Sequence, residues 1–345
     1  MKIIHGGDIY RNHIRLDFSV NTNPLGCPEA VRRALSEAAD RVEVYPDPEQ
    51  VLVREALGEL HGIAPEEVIA GNGASELITS IVNAVQPKKV LLAAPSFYGY
   101  ERAVSGIPGC EVRWHRLREE DGFVLTESVL SELTSDTDLC FLCNPNNPTG
   151  VNVDPDLLRR IIEGCEESDI TLVVDECFLE LSSRGTSVIP LIREFGKLYV
   201  MKAFTKLLAV PGVRLGYVIS AKENTENLRT VLPEWNLSVF AETAAYSGCR
   251  VLKDSGYIGD TLSLLEKERD YLTAELEGLF IRVFPGSANF LLVHTEKELY
   301  RLLLEQGILI RDCGNFPGLK EGYYRIAIRD HAANAELIRV LREVL

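Results

Sequence analysis

The chain has 345 residues, 46% of them apolar, so it is long enough for one large hydrophobic core and a smaller appended one. Its net charge of −15 and sequence pI near 5.0 argue against nucleic-acid and membrane-surface partners, because phosphate backbones and anionic lipids are bound through basic patches. An anionic substrate must then be held by a few local arginines.

The eight cysteines show neither the spacing of a metal site nor that of a disulfide framework. Only Cys140 and Cys143 lie close together, and no second pair or histidine is near them, so we expect no metal ion and reduced, buried thiols. The N-terminal "MKIIHGGDIYRNH" has no apolar signal core, and no apolar run reaches the roughly 18 residues of a membrane span. We therefore predict a cytoplasmic location.

From about residue 48 to residue 220, short apolar runs alternate with helical patterns. Among them are "EQVLVREALGEL", "KVLLAAPSF", "DLCFLC" and "TLVVDECF". Strands that read as continuous hydrophobic runs and alternate with helices indicate a mostly parallel sheet covered on both faces. We predict an α/β fold whose large, cofactor-binding domain comprises residues 31–220.

After about residue 221 the pattern changes to long helical stretches, followed by the strand-like runs "IRVFPGSANFLLVH", "ILIRDC" and "YYRIAIR". Strands and helices grouped at the end of a chain suggest a separate α+β unit. We expect residues 1–30 and 221–345 to form this smaller domain, with the N-terminal segment covering the substrate.

Polar segments follow the apolar runs of the predicted sheet, where open α/β sheets usually bind ligands. They are "GNGASE" at 71–76, "APSFYGY" at 94–100, "NPNNPTG" at 144–150 and "DECF" at 175–178. Small residues before a helical pattern would let the amides of Ala74 and Ser75, after Gly73, face an anion. Alone, each segment also fits an ordinary turn, helix cap or core aromatic.

Lys206 lies in the apolar stretch "FTKLLAVPGVRLGY" at 204–217, where an unpaired ammonium would be costly to bury. Covalent attachment to an aldehyde would remove that charge, and Arg214 follows eight residues later as a phosphate ligand. A surface helix with an extended lysine is the alternative.

In combination these residues match the needs of pyridoxal 5′-phosphate. It requires phosphate donors, a ring face to stack on, a donor to its phenolate oxygen, a carboxylate beside its ring nitrogen and an amine for its aldehyde. The sequence offers these groups, in chain order, at Ser75, Phe97, Asn147, Asp175 and Lys206.

Over almost its whole length the chain resembles the fold-type I pyridoxal-phosphate enzymes of the aminotransferase class I/II group. The resemblance implies a seven-stranded type of sheet, a homodimer with shared active sites, and specific roles for four residues in binding the cofactor. Lys206 would bind the cofactor covalently, Asp175 its ring nitrogen and Arg214 its phosphate, while Tyr45 of "YPD" would reach the phosphate in the neighbouring subunit. The group usually has a tyrosine where this chain has Phe178 and a hydroxyl residue at Ala203, which leaves the phosphate to Ser75, Arg214 and Thr205.

Within this group the sequence most resembles the L-threonine-O-3-phosphate decarboxylases of cobalamin biosynthesis, which are themselves similar to histidinol-phosphate aminotransferases. The similar segments are "HGGDIY" at 5–10, "LDFSVNTNPLG" at 16–26, 204–217 and "ILIRDCGNFPGLKEGYYRIAIR" at 308–329. The resemblance implies that a phosphorylated amino acid or amine is the substrate. Its expected ligands are His5, Gly6, Asn23, Arg311 and Arg325.

The expected activity is therefore decarboxylation of L-threonine O-3-phosphate to 1-amino-2-propanol O-2-phosphate, with Lys206 and Asp175 as the catalytic residues. Histidinol-phosphate transamination, or a related class I/II transamination, is the alternative within the group, and Phe178 argues against it. A non-catalytic relative that keeps the fold is a third interpretation, which the presence of both Lys206 and Asp175 disfavours.

Overall fold

The computed structural model describes residues 6–345. Its strands are β1 (Leu16–Asp17), β2 (Val68–Gly71), β3 (Lys89–Ala94), β4 (Glu111–Arg116), β5 (Leu139–Cys143), β6 (Thr171–Asp175), β7 (Leu198–Ala203), β8 (Gly216–Ser220), β9 (Arg282–Val283), β10 (Phe290–His294), β11 (Ile308–Leu309), β12 (Arg311–Asp312) and β13 (Tyr323–Ala327). Its α-helices are α1 (Glu29–Ala38), α2 (Val51–His61), α3 (Ala74–Val85), α4 (Gly99–Val104), α5 (Pro155–Glu167), α6 (Phe204–Leu207), α7 (Lys222–Val231), α8 (Val239–Asp254), α9 (Tyr257–Gly278), α10 (Leu299–Leu304) and α11 (His331–Val344).

The largest sheet has seven strands in the order β2-β8-β7-β6-β5-β3-β4. Strands β3 to β7 pair in parallel with their neighbours among themselves, whereas β8 runs antiparallel to both β2 and β7. The sheet is thus mostly parallel, as the alternation of apolar runs and helices predicted. The α/β fold class is confirmed.

Both faces of this sheet are covered, and every residue of its central strands β5, β6 and β7 is buried. Along β6, Val173 belongs to one apolar cluster and Leu172 and Val174 to another, as expected for side chains that alternate across a strand. Helices α3, α4 and α7 contribute to the first cluster, and α2, α5 and α8 to the second. Such burial holds the carboxyl ends of β5, β6 and β7 at one edge of the sheet.

A smaller four-stranded antiparallel sheet has the order β12-β13-β10-β9. Nearby, the short β1 pairs in parallel with β11, with Leu16 opposite Ile308. This pairing places the N-terminal segment beside the C-terminal third of the chain. The strands predicted after residue 280 are therefore present, together with α9, α10 and α11.

Helices α7 and α8 pack on the large sheet and its helices, although we predicted residues 221–345 to belong to the smaller domain. Helix α7 contacts α3, β2 and β8, and α8 contacts α1 and α2. Apolar side chains of α8, such as Ala241 and Ala244, are buried in the same cluster as Leu57 of α2. We propose that the boundary between the domains lies between α8 and α9, and not at residue 220.

Within residues 6–345, no helix combines the length and the apolar character needed to cross a lipid bilayer. The eight cysteines are free thiols. In the same part of the chain, no cluster of three or more His, Cys, Asp or Glu side chains is arranged to hold a metal ion.

Candidate active site

A cleft of about 240 Å³ opens where β5, β6 and β7 end, beside the start of α3. Its lining includes most of the residues that the sequence suggested: Gly6, Ala74, Ser75, Phe97, Asn147, Asp175, Phe178, Thr205, Lys206, Arg214, Arg311 and Arg325. A larger groove of about 760 Å³ lies elsewhere, between α9 and the segment around Ser183 and Arg184. We place the candidate site in the smaller cleft because the lysine, the aspartate and the arginines meet there.

The start of α3 and Arg214 form one end of the cleft. Gly73, just before α3, has φ of 78°, and a Cβ there would lie 2.4 Å from Nη2 of Arg214. The guanidinium therefore lies directly against the backbone that leads into the helix, and its Nη1 donates to the Pro211 carbonyl at 3.2 Å. Free amides of Ala74 and Ser75 beside a guanidinium suit a phosphate group.

Asp175, the last residue of β6, is buried and lies at the floor of the cleft. Its Oδ2 accepts a hydrogen bond from Tyr100 Oη at 2.7 Å, and its Oδ1 accepts from the Cys177 amide at 3.0 Å. Burial raises the pKa of Asp175, while these hydrogen bonds act in the opposite direction. A carboxylate held this way suits a protonated ring nitrogen.

Lys206 lies in the single turn of α6, which follows β7, and its side chain is partly exposed to the cleft. Within residues 6–345, its Nζ forms no hydrogen bond or ion pair. Burial and then the nearby Arg325 lower the pKa of this amine to about 8. The neutral, nucleophilic form of Lys206 is therefore far more populated near neutral pH than that of an ordinary lysine.

Arg325 and Arg311 form the opposite side of the cleft and stand directly across from each other in the β12–β13 pairing. Arg325 donates to Asn147 Oδ1 at 2.5 Å and to the Ser19 carbonyl at 2.8 Å. With its amide oxygen turned towards the guanidinium, Asn21 accepts from Arg325 Nε at 3.1 Å.

Arg311 donates to Asn315 Oδ1 at 2.8 Å and to the Asp312 carbonyl, and its guanidinium lies 5.1 Å from the centre of the Phe316 ring. In the described part of the chain, neither Arg311 nor Arg325 forms an ion pair with a carboxylate. Burial lowers the pKa of Arg325 to about 10 and also lowers that of Arg311. Two buried guanidinium groups without a counter-ion suit an anionic ligand.

Among residues 6–345, three predicted residues are not part of the cleft lining: Gly73, which directly precedes the lining residues Ala74 and Ser75, Asn23 and Tyr45. Asn23 is buried, but its Nδ2 donates to Leu207 O and Thr261 Oγ1 and its Oδ1 accepts from the Leu25 amide. Asn23 thus holds the backbone after Lys206, and its contact with a substrate stays a prediction. Tyr45 is 79% exposed and packs on Trp235 at 5.2 Å between ring centres, and His5 lies outside the described residues.

Several residues at the site were not singled out from the sequence. Asn21 lines the cleft and belongs to the same "NTNP" stretch as Asn23, two positions earlier. The Phe316 ring lies against the Arg311 guanidinium, and the Tyr100 hydroxyl donates to Asp175. The stretch "NTNP" could have indicated Asn21, since both of its asparagines were visible in the sequence, but which of them faces the cleft depends on the fold.

The side chains in the cleft fit pyridoxal 5′-phosphate. The Arg214 guanidinium lies against Gly73, where a Cβ would approach Nη2 to 2.4 Å, so its charge is next to the start of α3 and suits a phosphate there. The Asn147 side-chain oxygen accepts from Arg325, so its Nδ2 remains available to donate within the cleft.

Other residues offer a ring face and a hydroxyl. Phe97 lines the cleft and offers a ring face for stacking. Thr205 lies next to Lys206, and its hydroxyl donates to Leu215 O at 3.3 Å. The positions of Phe178 and Ala203 at the cleft match the departures noted in the sequence.

Comparison with known proteins supports this description. The family model for aminotransferase class I and II matches residues 13–341. The chain is 38% identical to the threonine-phosphate decarboxylase of Salmonella typhimurium, over 96% of this chain and 91% of that protein. Among solved structures, histidinol-phosphate aminotransferase from Clostridium acetobutylicum is 32% identical with a TM-score of 0.87, covering 95% of this chain and 98% of that one. The L-threonine-O-3-phosphate decarboxylase from Porphyromonas gingivalis is 25% identical with a TM-score of 0.83, covering 95% and 98%. The protein is thus a member of the aminotransferase class I and II family.

Proposed function

We propose that the protein is a pyridoxal-phosphate-dependent decarboxylase that converts L-threonine O-3-phosphate to 1-amino-2-propanol O-2-phosphate. One observation carries the proposal: the unpaired amine of Lys206 shares a cleft with two buried guanidinium groups, those of Arg311 and Arg325, which have no carboxylate partner among residues 6–345. A ligand with an amine and two anionic groups complements this arrangement, and a phosphorylated amino acid has an amine, a carboxylate and a phosphate.

When bound, pyridoxal phosphate supplies an aldehyde that condenses with amines and a ring that accepts the electron pair of a bond broken at Cα. Lys206 would attach it covalently, and Asp175 would keep its ring nitrogen protonated. The start of α3 and Arg214 would bind its phosphate, Phe97 would stack on its ring and Asn147 would donate to its phenolate oxygen.

The protein's own groups then determine which bond of the substrate breaks. Arg325 is held from three sides by Asn147, Ser19 and Asn21, so its orientation in the cleft is fixed. Arg311 is held by Asn315 and Phe316. Two rigidly held guanidinium groups would bind the carboxylate and the phosphate of the substrate and so fix its orientation in the cleft. Lys206, with a pKa near 8, can then return a proton to Cα.

The relatives support this choice over the alternative. The Salmonella protein named a threonine-phosphate decarboxylase is 38% identical, while a histidinol-phosphate aminotransferase of Caldanaerobacter subterraneus is 33% identical over a similar share of this chain. Phe178 stands at the cleft where such aminotransferases usually have a tyrosine, and its ring packs against Phe290 at 5.3 Å. Both observations favour decarboxylation.

We further propose that the protein acts as a homodimer with shared sites. Tyr45 does not line its own cleft and is 79% exposed, in a segment where Val42 and Val44 are also exposed. An exposed aromatic and apolar segment of this kind is typical of a surface covered by a partner. In a symmetric dimer Tyr45 would then reach the cofactor phosphate of the partner subunit.

The direct test is to incubate the cofactor-loaded protein with L-threonine O-3-phosphate and to measure carbon dioxide and the phosphorylated amine. We expect both products without a keto acid acceptor. In parallel, histidinol phosphate with 2-oxoglutarate should give little glutamate. Glutamate formation without carbon dioxide release would instead establish the transaminase. Absence of a borohydride-sensitive absorption band near ~420 nm would indicate a non-catalytic relative.

Variants of the two arginines test the assignment of the substrate. Removing one partner of a buried, charge-assisted contact typically costs about 2–5 kcal/mol, so Arg311→Ala and Arg325→Ala should each lower kcat/KM at least about thirtyfold. Arg339→Ala is a matched control, since Arg339 pairs only with Glu336 and Glu343 on the exposed side of α11. Unchanged kcat/KM in both site variants would contradict a phosphorylated amino acid as substrate.

A further inference from the structure

Tyr100 is a buried polar residue beside the site whose contacts the proposed function does not yet use. It lies in α4, is 1% exposed, and its hydroxyl donates to Asp175 Oδ2 at 2.7 Å. Its ring is stacked on Phe141, with centres 4.8 Å apart and planes within 11°, and meets the edge of Phe97 at 5.4 Å. One side chain thus contacts both the carboxylate expected at the cofactor nitrogen and the aromatic expected on its ring.

The surroundings of Asp175 give this hydroxyl its importance. The carboxylate accepts from Tyr100 and from the Cys177 amide, and the thiols of Cys143 and Cys177 lie beside it. The nearest cation on β7, Lys202, is bound to Glu176 and Glu180. No cation bonds Asp175 directly in the described part of the chain. Neutral donors therefore determine how strongly this carboxylate attracts a proton.

We infer that Tyr100 is a positioning residue that keeps Asp175 ionised and aimed at the cofactor nitrogen. The inference rests on the proposed binding of pyridoxal phosphate, but not on the identity of the substrate. A carboxylate and a pyridine nitrogen in contact share one proton, and the proton resides mainly on the more basic group. A hydrogen bond from Tyr100 makes the carboxylate less basic and so leaves the proton on the nitrogen.

The Tyr100 hydroxyl is suited to this role because it stays protonated. Burial, and then the charge of Asp175, raise the pKa of Tyr100 well above its ordinary value. Stacking on Phe141 fixes the ring plane, so the hydroxyl cannot turn away from Asp175 without repacking the core. Burial alone raises the pKa of Asp175, and without this donor its carboxyl would hold a proton more strongly.

The test is the Tyr100→Phe variant, which keeps the ring and removes only the hydroxyl. The protein is loaded with pyridoxal phosphate labelled with ¹⁵N in the ring, and the ¹⁵N chemical shift is recorded from pH 6 to 9. We expect the wild-type signal at the position of a protonated pyridine and the variant signal moved towards that of an unprotonated one. The kcat should fall about tenfold or more, since a hydrogen bond to a charged group is lost.

Tyr217→Phe is the matched control. Tyr217 is also buried, and its hydroxyl bonds His61 Nε2 at 2.9 Å instead of a cleft residue. This variant loses a buried hydroxyl and should leave the ¹⁵N shift unchanged. Identical ¹⁵N shifts in wild type and Tyr100→Phe would overturn the inference about Tyr100, whatever the effect on stability, and would leave the proposed function unaffected. Failure of the wild-type protein to bind pyridoxal phosphate would overturn the proposed function and the inference with it.

Discussion

Two lysines four residues apart, Lys202 and Lys206, have opposite properties. Lys202, on β7, is 2% exposed, and its Nζ lies 2.9 Å from Glu176 and 2.6 Å from Glu180. Burial alone would lower its pKa, but the two carboxylates raise it. Lys206 has no carboxylate partner among residues 6–345, and burial followed by repulsion from Arg325 lowers its pKa to about 8.

The difference shows that burial alone does not make a lysine reactive. Burial acts to lower the pKa of both amines, and the charged groups around each amine decide which protonation state is stable. Glu176 also accepts from the Val188 amide and from Ser187 Oγ, so Lys202 is one member of a hydrogen-bonded network that joins β6 and β7 to the segment near residue 188. Lys202 thus has a structural role, whereas Lys206 is left free to react.

Replacing Lys206 by alanine should have the largest effect. We expect Lys206→Ala to reduce turnover of L-threonine O-3-phosphate below detection, because no other amine occupies its position in the cleft. Pyridoxal phosphate should still bind non-covalently, through the contacts at α3 and Arg214. Borohydride reduction followed by mass spectrometry would measure covalent attachment, and specific attachment of the wild-type protein at a lysine other than Lys206 would contradict the assignment.

Replacing Lys202 should instead affect stability. Lys202→Met leaves Glu176, which is fully buried, without its cation, and breaking such a pair typically costs about 3–5 kcal/mol. Denaturant unfolding would measure this loss, with Lys202→Arg as the control that keeps the charge. Cofactor attachment to Lys206 should persist in both variants. A loss below about 1 kcal/mol would mean that the network is not structural.

The pH dependence of cofactor attachment compares the two lysines directly. Only the neutral amine attacks an aldehyde, so attachment to the cofactor-free protein should accelerate as pH rises towards 8 and level off above it, following the pKa of Lys206. The rate at which the ~420 nm absorption band appears measures cofactor attachment. A small model amine, reacted with pyridoxal phosphate under the same conditions, gives the pH dependence that comes from the aldehyde itself. A midpoint near 10.4, the ordinary lysine value, would contradict the prediction.

A smaller effect should follow from Arg325, the second cause of the lowered pKa of Lys206. Arg325→Met removes that repulsion, so the midpoint of the attachment profile should rise by on the order of 1 unit. It should not reach the ordinary lysine value, because burial is the larger cause. Arg325→Lys keeps a positive charge and should leave the midpoint unchanged. Equal midpoints in all three proteins would show that Arg325 does not influence the amine.

Much of the fold and part of the site could be predicted because they depend on local pattern. The apolar run "TLVVD" indicates a buried parallel strand, and a polar residue at its end lies at the ligand-binding edge of the sheet. Lys206 and Arg214 could be proposed from their spacing and surroundings. Helices α7 and α8 pack on the large sheet and its helices although the sequence grouped them with the smaller domain, since helical periodicity does not reveal which surface an apolar face will pack against.

The rest depends on contacts between distant parts of the chain. Arg325 bonds Ser19 across 306 positions, and Tyr100 bonds Asp175 across 75. No spacing rule indicates such pairs. Asn21 and Asn23 are chemically identical in the sequence, and only packing against Arg325 on one side and Thr261 on the other separates their roles.

The antiparallel pairing of β7 with β8 has a consequence for the size of the ligand. Ala203 is paired with Gly216, so the chain between these strands carries both Lys206 and Arg214 on one closed loop. A shift of one residue in this register would move Arg214 by about 3.3 Å along the strand and turn its neighbours to the opposite face of the sheet. The register therefore sets the separation between the amine-reactive end and the anion-binding end of the cleft. We expect the cleft to select phosphorylated aldehydes by their length, and to reject homologues that are one carbon longer even when they carry the same functional groups.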